Sequence, residues 1–224
     1  MNVFTETPDR PNKRRAQKAA TARKVLLAAR DAFERDGFEG ASVRGIARDA
    51  GVAVGTVLKH YGDKRQLLFA ALHEALDEAL EAASAEAART LDDADANVVD
   101  RLLAVADSVF EVYRARPTLG RTLLREALFA DGEWGVRFVQ QTGRAHGLVA
   151  TLVRDAVARG ELPPTDPEEL GLAFLSFFYF ALISWAQGAP LPFGPLGLIE
   201  RLLVGRLGLA PRRSKRTART AKEG

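Results

Sequence analysis

From about residue 21 onward the apolar residues recur three and four positions apart. No stretch alternates apolar and polar residues with the period of two that a half-buried strand needs. That pattern confines the chain to an all-α fold. Val25, Ala29, Ala32 and Phe33 mark one face of a first helix that ends near Gly37. Ser42 can cap a second helix running from Val43 to Ala50, with Gly45 at its third position denying it a capping box. Asp63-Lys64-Arg65-Gln66 reads as a cap in which Gln66 reaches back, and it opens a long helix with Leu68, Leu72, Leu76 and Leu80 at four-residue spacing. Further helices are predicted over 97–115, 118–130, 133–159, 166–187 and 196–208, the third of them ended by Gly160. Asp166-Pro167-Glu168-Glu169 supplies an N-cap, a proline at the first helical position and a glutamate at the third. The acidic run Asp92-Asp93-Ala94-Asp95 reads as a helix cap, since it lacks the spacing of a metal-binding acidic motif.

Charge divides this helical chain. Residues 1–65 carry a net charge of +6, residues 66–210 carry −8, and residues 211–224 carry +5. A basic head on an acidic body points to a head that meets a polyanion. Residues 1–20, with Pro8, Pro11 and Lys13-Arg14-Arg15, read as a flexible basic arm, and 211–224 as a disordered basic tail. The chain has no cysteine, which excludes disulfides and thiolate chemistry. His60, His73 and His146 have no partner at ligand-like spacing, so neither a zinc site nor a cofactor is expected. With no phosphate-binding glycine loop either, an enzyme is not expected. The polar N-terminus lacks the apolar core of a secretory signal, and a cytoplasmic location is expected.

The segment "GVAVGTVLKHYGDK", residues 51–64, carries the functional signal. Residues 43–62 fit two short helices joined by a tight turn. Ala47 falls where the helices cross and demands a small side chain, and Gly51 falls at the turn, where positive φ is expected. Ile46, Ala50, Val52 and Val57 occupy the inward positions. Small, glycine and apolar residues in this register form a helix-turn-helix pattern, whose second helix enters the major groove of double-stranded DNA.

The block "VLLAARDAFERDGFEGASVRGIARDAGVAVGTVLKHYGDKRQLLFAAL", residues 25–72, resembles the DNA-binding domain of the tetracycline-repressor-like (TetR) family of bacterial regulators. The resemblance stands on Ala28-Ala29, Phe33, Gly37-Phe38, Ile46-Ala47, Ala50-Gly51-Val52, Gly55-Thr56, His60-Tyr61 and Lys64. The remaining two thirds are similar only in length and helix layout. The resemblance implies a DNA-binding set of Ser42, Arg44, Val54, Gly55, Thr56, Lys59, His60, Tyr61 and Lys64. In that set Arg44 reaches a phosphate or a base, and Thr56 and Lys59 face the groove edge and its phosphates. His60 and Tyr61 contact the backbone or pack the domain. Lys64 lies at the first turn of the next helix, where free N–H groups and the positive dipole end favour a phosphate. Two positions depart from the family pattern. Leu58 stands where many members carry a phosphate-binding aromatic, and Val54 stands where a polar residue is common and would read a thymine methyl.

The body is read less sharply. From Leu170 to Ile199 there is no charged residue, and "LAFLSFFYFALISWA" is apolar around its full circumference. A helix of that kind is buried on all sides or lies in lipid. Burial in a dimer interface is the preferred reading, with a membrane-anchored protein as the alternative. The resemblance implies a homodimer through the last two helices, 166–187 and 196–208, bound to a palindromic operator. It also implies a small-molecule pocket in the body. Phe110, Tyr113, Phe129, Trp134, Phe138 and Phe177 are the candidate lining, with Tyr179 and His146 as polar options and Arg121, Arg125 and Arg144 as possible inward cations. The domains expected are the arm 1–20, a helix-turn-helix domain 21–66, a helical ligand-binding and dimerisation domain 67–210, and the tail 211–224. The function expected is a repressor released by a small apolar or aromatic ligand; an activator or a non-specific DNA-binding protein are the alternatives within that class.

Overall fold

The structure, a computed structural model, describes residues 10–89 and 96–209, with side chains from residue 13 onward. Residues 1–9 of the basic arm, the predicted cap at Asp92–Asp95 and the basic tail 211–224 lie outside the described residues. Among the described residues the chain forms nine α-helices and no strand. They are α1 (Arg10–Gly40), α2 (Val43–Asp49), α3 (Val54–Tyr61), α4 (Lys64–Arg89), α5 (Val98–Arg114), α6 (Pro117–Ala127), α7 (Gly132–Ala158), α8 (Pro167–Ala186) and α9 (Gly194–Leu207). The five helices predicted after residue 96 lie within three residues of these bounds.

Helix α1 departs most from expectation. It begins at Arg10, whereas the sequence predicts irregular chain up to residue 20. Pro11 sits in the first turn, where its missing N–H costs nothing, and Ala16, Gln17, Lys18, Ala19 and Ala20 are strong helix formers. Residues 13–20 are exposed throughout, so propensity rather than packing holds this part helical. Near its other end α1 is kinked at Gly37, whose φ of 70° is open to glycine and strained for other residues.

Two caps also differ in detail. Asp63 accepts from the Gln66 N–H at 2.8 Å as predicted, but the Gln66 side chain does not reach back; it accepts from the Trp134 indole N–H. Helix α5 is capped reciprocally by Asn97 and Asp100, each side chain accepting from the other's backbone N–H at 3.0 Å. The predicted cap of α8 is formed: Asp166 accepts from the N–H groups of Glu168 and Glu169 at 2.9 and 3.1 Å.

The chain divides into two compact units, one of Met1–Glu78 with Val112–Val139 and the other of Ala79–Glu111 with Gln140–Gly224. In the first, the predicted α1 face of Val25, Ala29, Ala32 and Phe33 is buried with Ile46, Ala47, Val57, Leu67, Leu68 and Leu72. Arg30 is buried as well and clasps α4: its Nε donates to the Ala71 carbonyl at 3.0 Å, and its terminal nitrogens meet Glu74 at 3.1 Å and Glu78 at 3.4 Å. Glu34 of α1 accepts from the N–H groups of Thr118 and Leu119, supplying from another helix the N-terminal cap that α6 lacks. Gly120 lets α6 lie flush on the preceding segment, since a Cβ there would fall 2.5 Å from the Tyr113 carbonyl oxygen.

In the second unit Leu102 and Phe110 of α5, Val149 and Val153 of α7, Phe174 and Leu182 of α8, and Ile199 and Leu203 of α9 are buried. Arg101 is buried too, paired with Glu161 and donating to the Ala96 carbonyl, but its Nε has no acceptor. Helix α8 is long and apolar enough to cross a bilayer by length and composition alone. It is packed instead against α9, with Leu170, Phe174, Phe178, Ala181 and Leu182 buried. Leu172 and Phe180 of the same helix stay exposed.

Candidate nucleic-acid interface

Helices α2 and α3 form the predicted pair. Ile46 and Ala47 are fully covered and Val57 nearly so, which leaves no room at the crossing for anything larger than the Ala47 methyl. Gly51 turns the chain with φ +68°, and the turn is closed by Gly51 N–H to the Arg48 carbonyl at 3.0 Å and Val52 N–H to the Ala47 carbonyl at 2.9 Å. Ala50 and Val52, expected to point inward, are half-buried at the rim of the turn.

The outer face of the pair is a surface of short and cationic side chains. Ser42 is exposed, and its hydroxyl caps α2 by accepting from the Gly45 N–H at 3.1 Å. Arg44 is exposed, whereas Arg48 in the same helix is tied to Asp49 at 3.0 Å. On α3, Gly55, Lys59 and His60 are exposed and Val54 and Thr56 half-buried, and a Cβ added at Gly55 would meet nothing within 4 Å. Leu58 is exposed at 43%, so this departure from the family pattern stands on the surface rather than in the core. The start of α3 adds a feature that the sequence pattern alone does not bring out. Its N-cap is Ala53, which offers no side-chain acceptor, so the first N–H groups and the positive end of the helix dipole are open to an anion. The alanine at that position is the available signal.

Tyr61 and Lys64 are engaged inside the unit. The Tyr61 hydroxyl donates to the Ala22 carbonyl of α1 at 3.4 Å, and burial followed by the nearby Glu74 charge pushes its pKa from 10.0 to about 12. The Lys64 ammonium donates to the carbonyls of Phe38 at 2.6 Å, Ala41 at 3.2 Å and Glu39 at 3.3 Å, and it lies 4.5 Å from the centre of the Phe38 ring. All three of its protons are thereby used on the carbonyl end of α1, where a cation meets both unpaired acceptors and the negative dipole end. The structure places Lys64 as the clasp that ends α1, and the face offered outward consists of Ser42, Arg44, Val54, Gly55, Thr56, Leu58, Lys59 and His60.

Comparison with known proteins decides what kind of pair this is. Residues 25–71 match the family model for bacterial regulatory proteins of the tetR family. The N-terminal domain is a tetR-family domain. No curated relative matches the chain. The fold of about 85% of the chain is shared with solved structures of low sequence identity. The fatty acid degradation regulator FadR of Bacillus halodurans is 17% identical with a TM-score of 0.63, over 84% of this chain and 98% of that one. A tetR-family transcriptional regulator of Mesorhizobium loti is 18% identical with a TM-score of 0.65, over 85% and 95%. FadR of Bacillus subtilis, solved in complex with stearoyl-CoA, is 15% identical with a TM-score of 0.65, over 84% and 98%. Residues 25–71 are thus a tetR-family domain, as the motif resemblance implied, and the chain shares the fold of these regulators.

The proposed pocket residues are divided between the two units. Tyr113, Phe129, Trp134 and Phe138 belong to the first unit and Phe110 and Phe177 to the second. Phe129 is 86% exposed and follows the end of α6. Trp134 and Phe138 form an aromatic cluster with Phe69 and His73, ring centres 5.8–6.1 Å apart. Tyr113 is buried. Phe110 is buried against Phe178 and Trp185, and Phe177 is half-buried. Of the polar options, Tyr179 pairs with the Thr142 hydroxyl at 3.3 Å and His146 Nε2 lies 3.0 Å from the Glu168 carbonyl. Arg121, Arg125 and Arg144 are exposed. Among the described residues, no group of three or more histidines and carboxylates is placed to hold a metal ion.

Proposed function

We propose that this chain is a homodimeric, sequence-specific repressor that acts in the cytoplasm and is released from a palindromic operator by a small apolar ligand. The observation that carries the reading is the outer face of α3. Gly55 lets the backbone approach closely, Thr56 and Lys59 offer one donor-acceptor and one cation, and Val54 and Leu58 suit thymine methyls. Two copies are needed because one such helix reads only a few base pairs, and half-sites would lie one helical turn, about 34–36 Å, apart.

Helix α8 supports the second copy. Leu172 and Phe180 are exposed large apolar residues eight positions apart, with Ser176 exposed between them, so they mark one face. A second α8–α9 pair would cover that face. The absence of charge from Leu170 to Ile199 favours an apolar ligand, and fatty acyl chains are the first class to test, given the stearoyl-CoA complex of the Bacillus subtilis relative. A ligand that lowers operator affinity tenfold must favour the DNA-incompetent state by about 1.4 kcal/mol.

The test is fluorescence anisotropy with the DNA flanking this protein's own coding region and a scrambled duplex, each with and without stearoyl-CoA. Selective binding that weakens as stearoyl-CoA is added supports the full reading. Selective binding unmoved by it retains the regulator and rejects the acyl ligand. Equal binding to both duplexes rejects sequence-specific function.

A further inference from the structure

We propose that the N-terminal extension of α1 is a second DNA-contacting element, which grips phosphates beside the base pairs that α3 reads. The inference rests on the DNA-binding reading above and adds a surface outside the region matched by the family model, which begins at residue 25.

The extension is a bare basic helix. No acidic residue occurs between Arg10 and Arg30, while Lys13, Arg14, Arg15, Lys18, Arg23 and Lys24 do. Arg23 lies 3.8 Å from Glu78 and is set aside as partnered. Lys13, Arg14, Arg15 and Lys18 are exposed, and no carboxylate among the described residues pairs with them. At about 100° per residue, Arg14, Lys18 and Arg15 share an arc of about 100°, and Lys13 lies about 100° further round. Such clustering is unfavourable in isolation. Like charges three and four residues apart repel, and cations near a helix N-terminus oppose its dipole, with no acidic residue in the first turn to offset them. A row of phosphates turns both terms favourable, which is the charge complementarity that selects nucleic acid as the occupant.

Placement gives the second, independent reason. The hydroxyl of Tyr61, the last residue of α3, rests on the carbonyl of Ala22, so the extension leaves the domain beside the end of the recognition helix. From Ala22 back to Lys13 a helix rises about 14 Å, enough to reach phosphates flanking a half-site but not the neighbouring half-site.

The test uses the full chain with Lys13, Arg14, Arg15 and Lys18 all changed to Gln, a substitution that keeps helix propensity. Circular dichroism and thermal unfolding confirm the fold. Anisotropy is then measured from about 50 to 200 mM salt on the DNA flanking the coding region and on a mixed-sequence duplex of equal length. The expected result is weaker binding to both duplexes by a similar factor, with the preference for one over the other retained. The log–log salt slope should become shallower by about 0.9 for each phosphate that the variant no longer neutralises. A variant with the same four residues changed to Glu should bind more weakly again. An unchanged slope and affinity in the Gln variant would overturn the proposal. Failure of the DNA-reading assignment looks different: wild-type protein would then show no preference between the two duplexes.

Discussion

Helix pairs α2–α3 and α8–α9 are built on opposite principles. In the first, the small Ala47 lets the helices cross closely over buried Ile46 and Val57, Gly51 makes the turn, and the outer side carries Arg44, Thr56, Lys59 and His60. In the second, one helix is apolar all round, its buried side holds Phe174, Phe178 and Leu182, and its outer side still shows Leu172 and Phe180. A surface that stays polar and cationic when its core is complete is suited to a hydrated polyanion. A surface that stays apolar is suited to another apolar surface. On the proposed function the two pairs serve two partners, DNA for α2–α3 and a second copy for α8–α9.

The comparison extends to the two buried arginines, and there the largest effect on stability is expected. Arg30 has every nitrogen engaged, and truncation to Leu takes a partner from Glu74, Glu78 and the Ala71 carbonyl; with both carboxylates part-exposed and Glu78 keeping Arg23, the cost is about 2–3 kcal/mol. Arg101 already carries an unpaired Nε, so Arg101→Leu removes a penalty along with a pair and should cost distinctly less. Denaturant titration of both variants checks the order; equal destabilisation would show that guanidinium satisfaction is not what separates the units. Next comes the exposed α8 face. If the proposed dimer forms through this face, Leu172→Glu with Phe180→Glu should weaken it at least a hundredfold, about 3 kcal/mol, by sedimentation, while leaving the monomer folded. An unchanged dimer would move the interface elsewhere.

Overpacking at the α2–α3 crossing is expected to act on the first pair alone. Ala47→Leu should destabilise by about 1–3 kcal/mol and abolish operator binding, without changing the dimer. The smallest effect concerns Tyr61. Its pKa is raised, so the proton is held more tightly in the folded state, and the stability this confers is full below about pH 10 and lost as pH rises through about 12. Tyr61 is only half-buried, which reduces the contribution to about 1 kcal/mol. Tyr61→Phe should flatten the alkaline limb of stability between those values, relative to wild type, in pH-dependent unfolding.

Legibility in the sequence follows the same division. The α2–α3 pair is readable because its geometry tolerates few residues: Ala47 at the crossing, Gly51 at the turn and Val57 inward can each be recognised by type and position. Helix ends in the body are readable for similar reasons, since Asp166-Pro167 and Gly160 act locally. What is not readable depends on distant chain. Lys64 reads as a phosphate ligand at the start of α4, and nothing local announces that its ammonium meets the carbonyls of Phe38, Glu39 and Ala41. Gln66 reads as part of a local cap and instead meets Trp134, 68 residues away. Phe129 has an aromatic side chain suited to a pocket and a position that exposes it. The early start of α1 is hidden for another reason: Pro8, Pro11 and the charge run suggest irregular chain, while the alanines that follow favour helix.

The central claim is that the exposed face of α3 reads sequence. It is tested most directly by anisotropy of wild type and a Thr56→Ala, Lys59→Ala variant, on the DNA flanking the coding region and on a scrambled duplex, across a salt series. Selective binding by wild type, with selectivity abolished in the variant and residual salt-dependent binding to both duplexes, is the predicted result. A variant that keeps the wild-type preference would contradict the assignment of α3 as the reader of sequence.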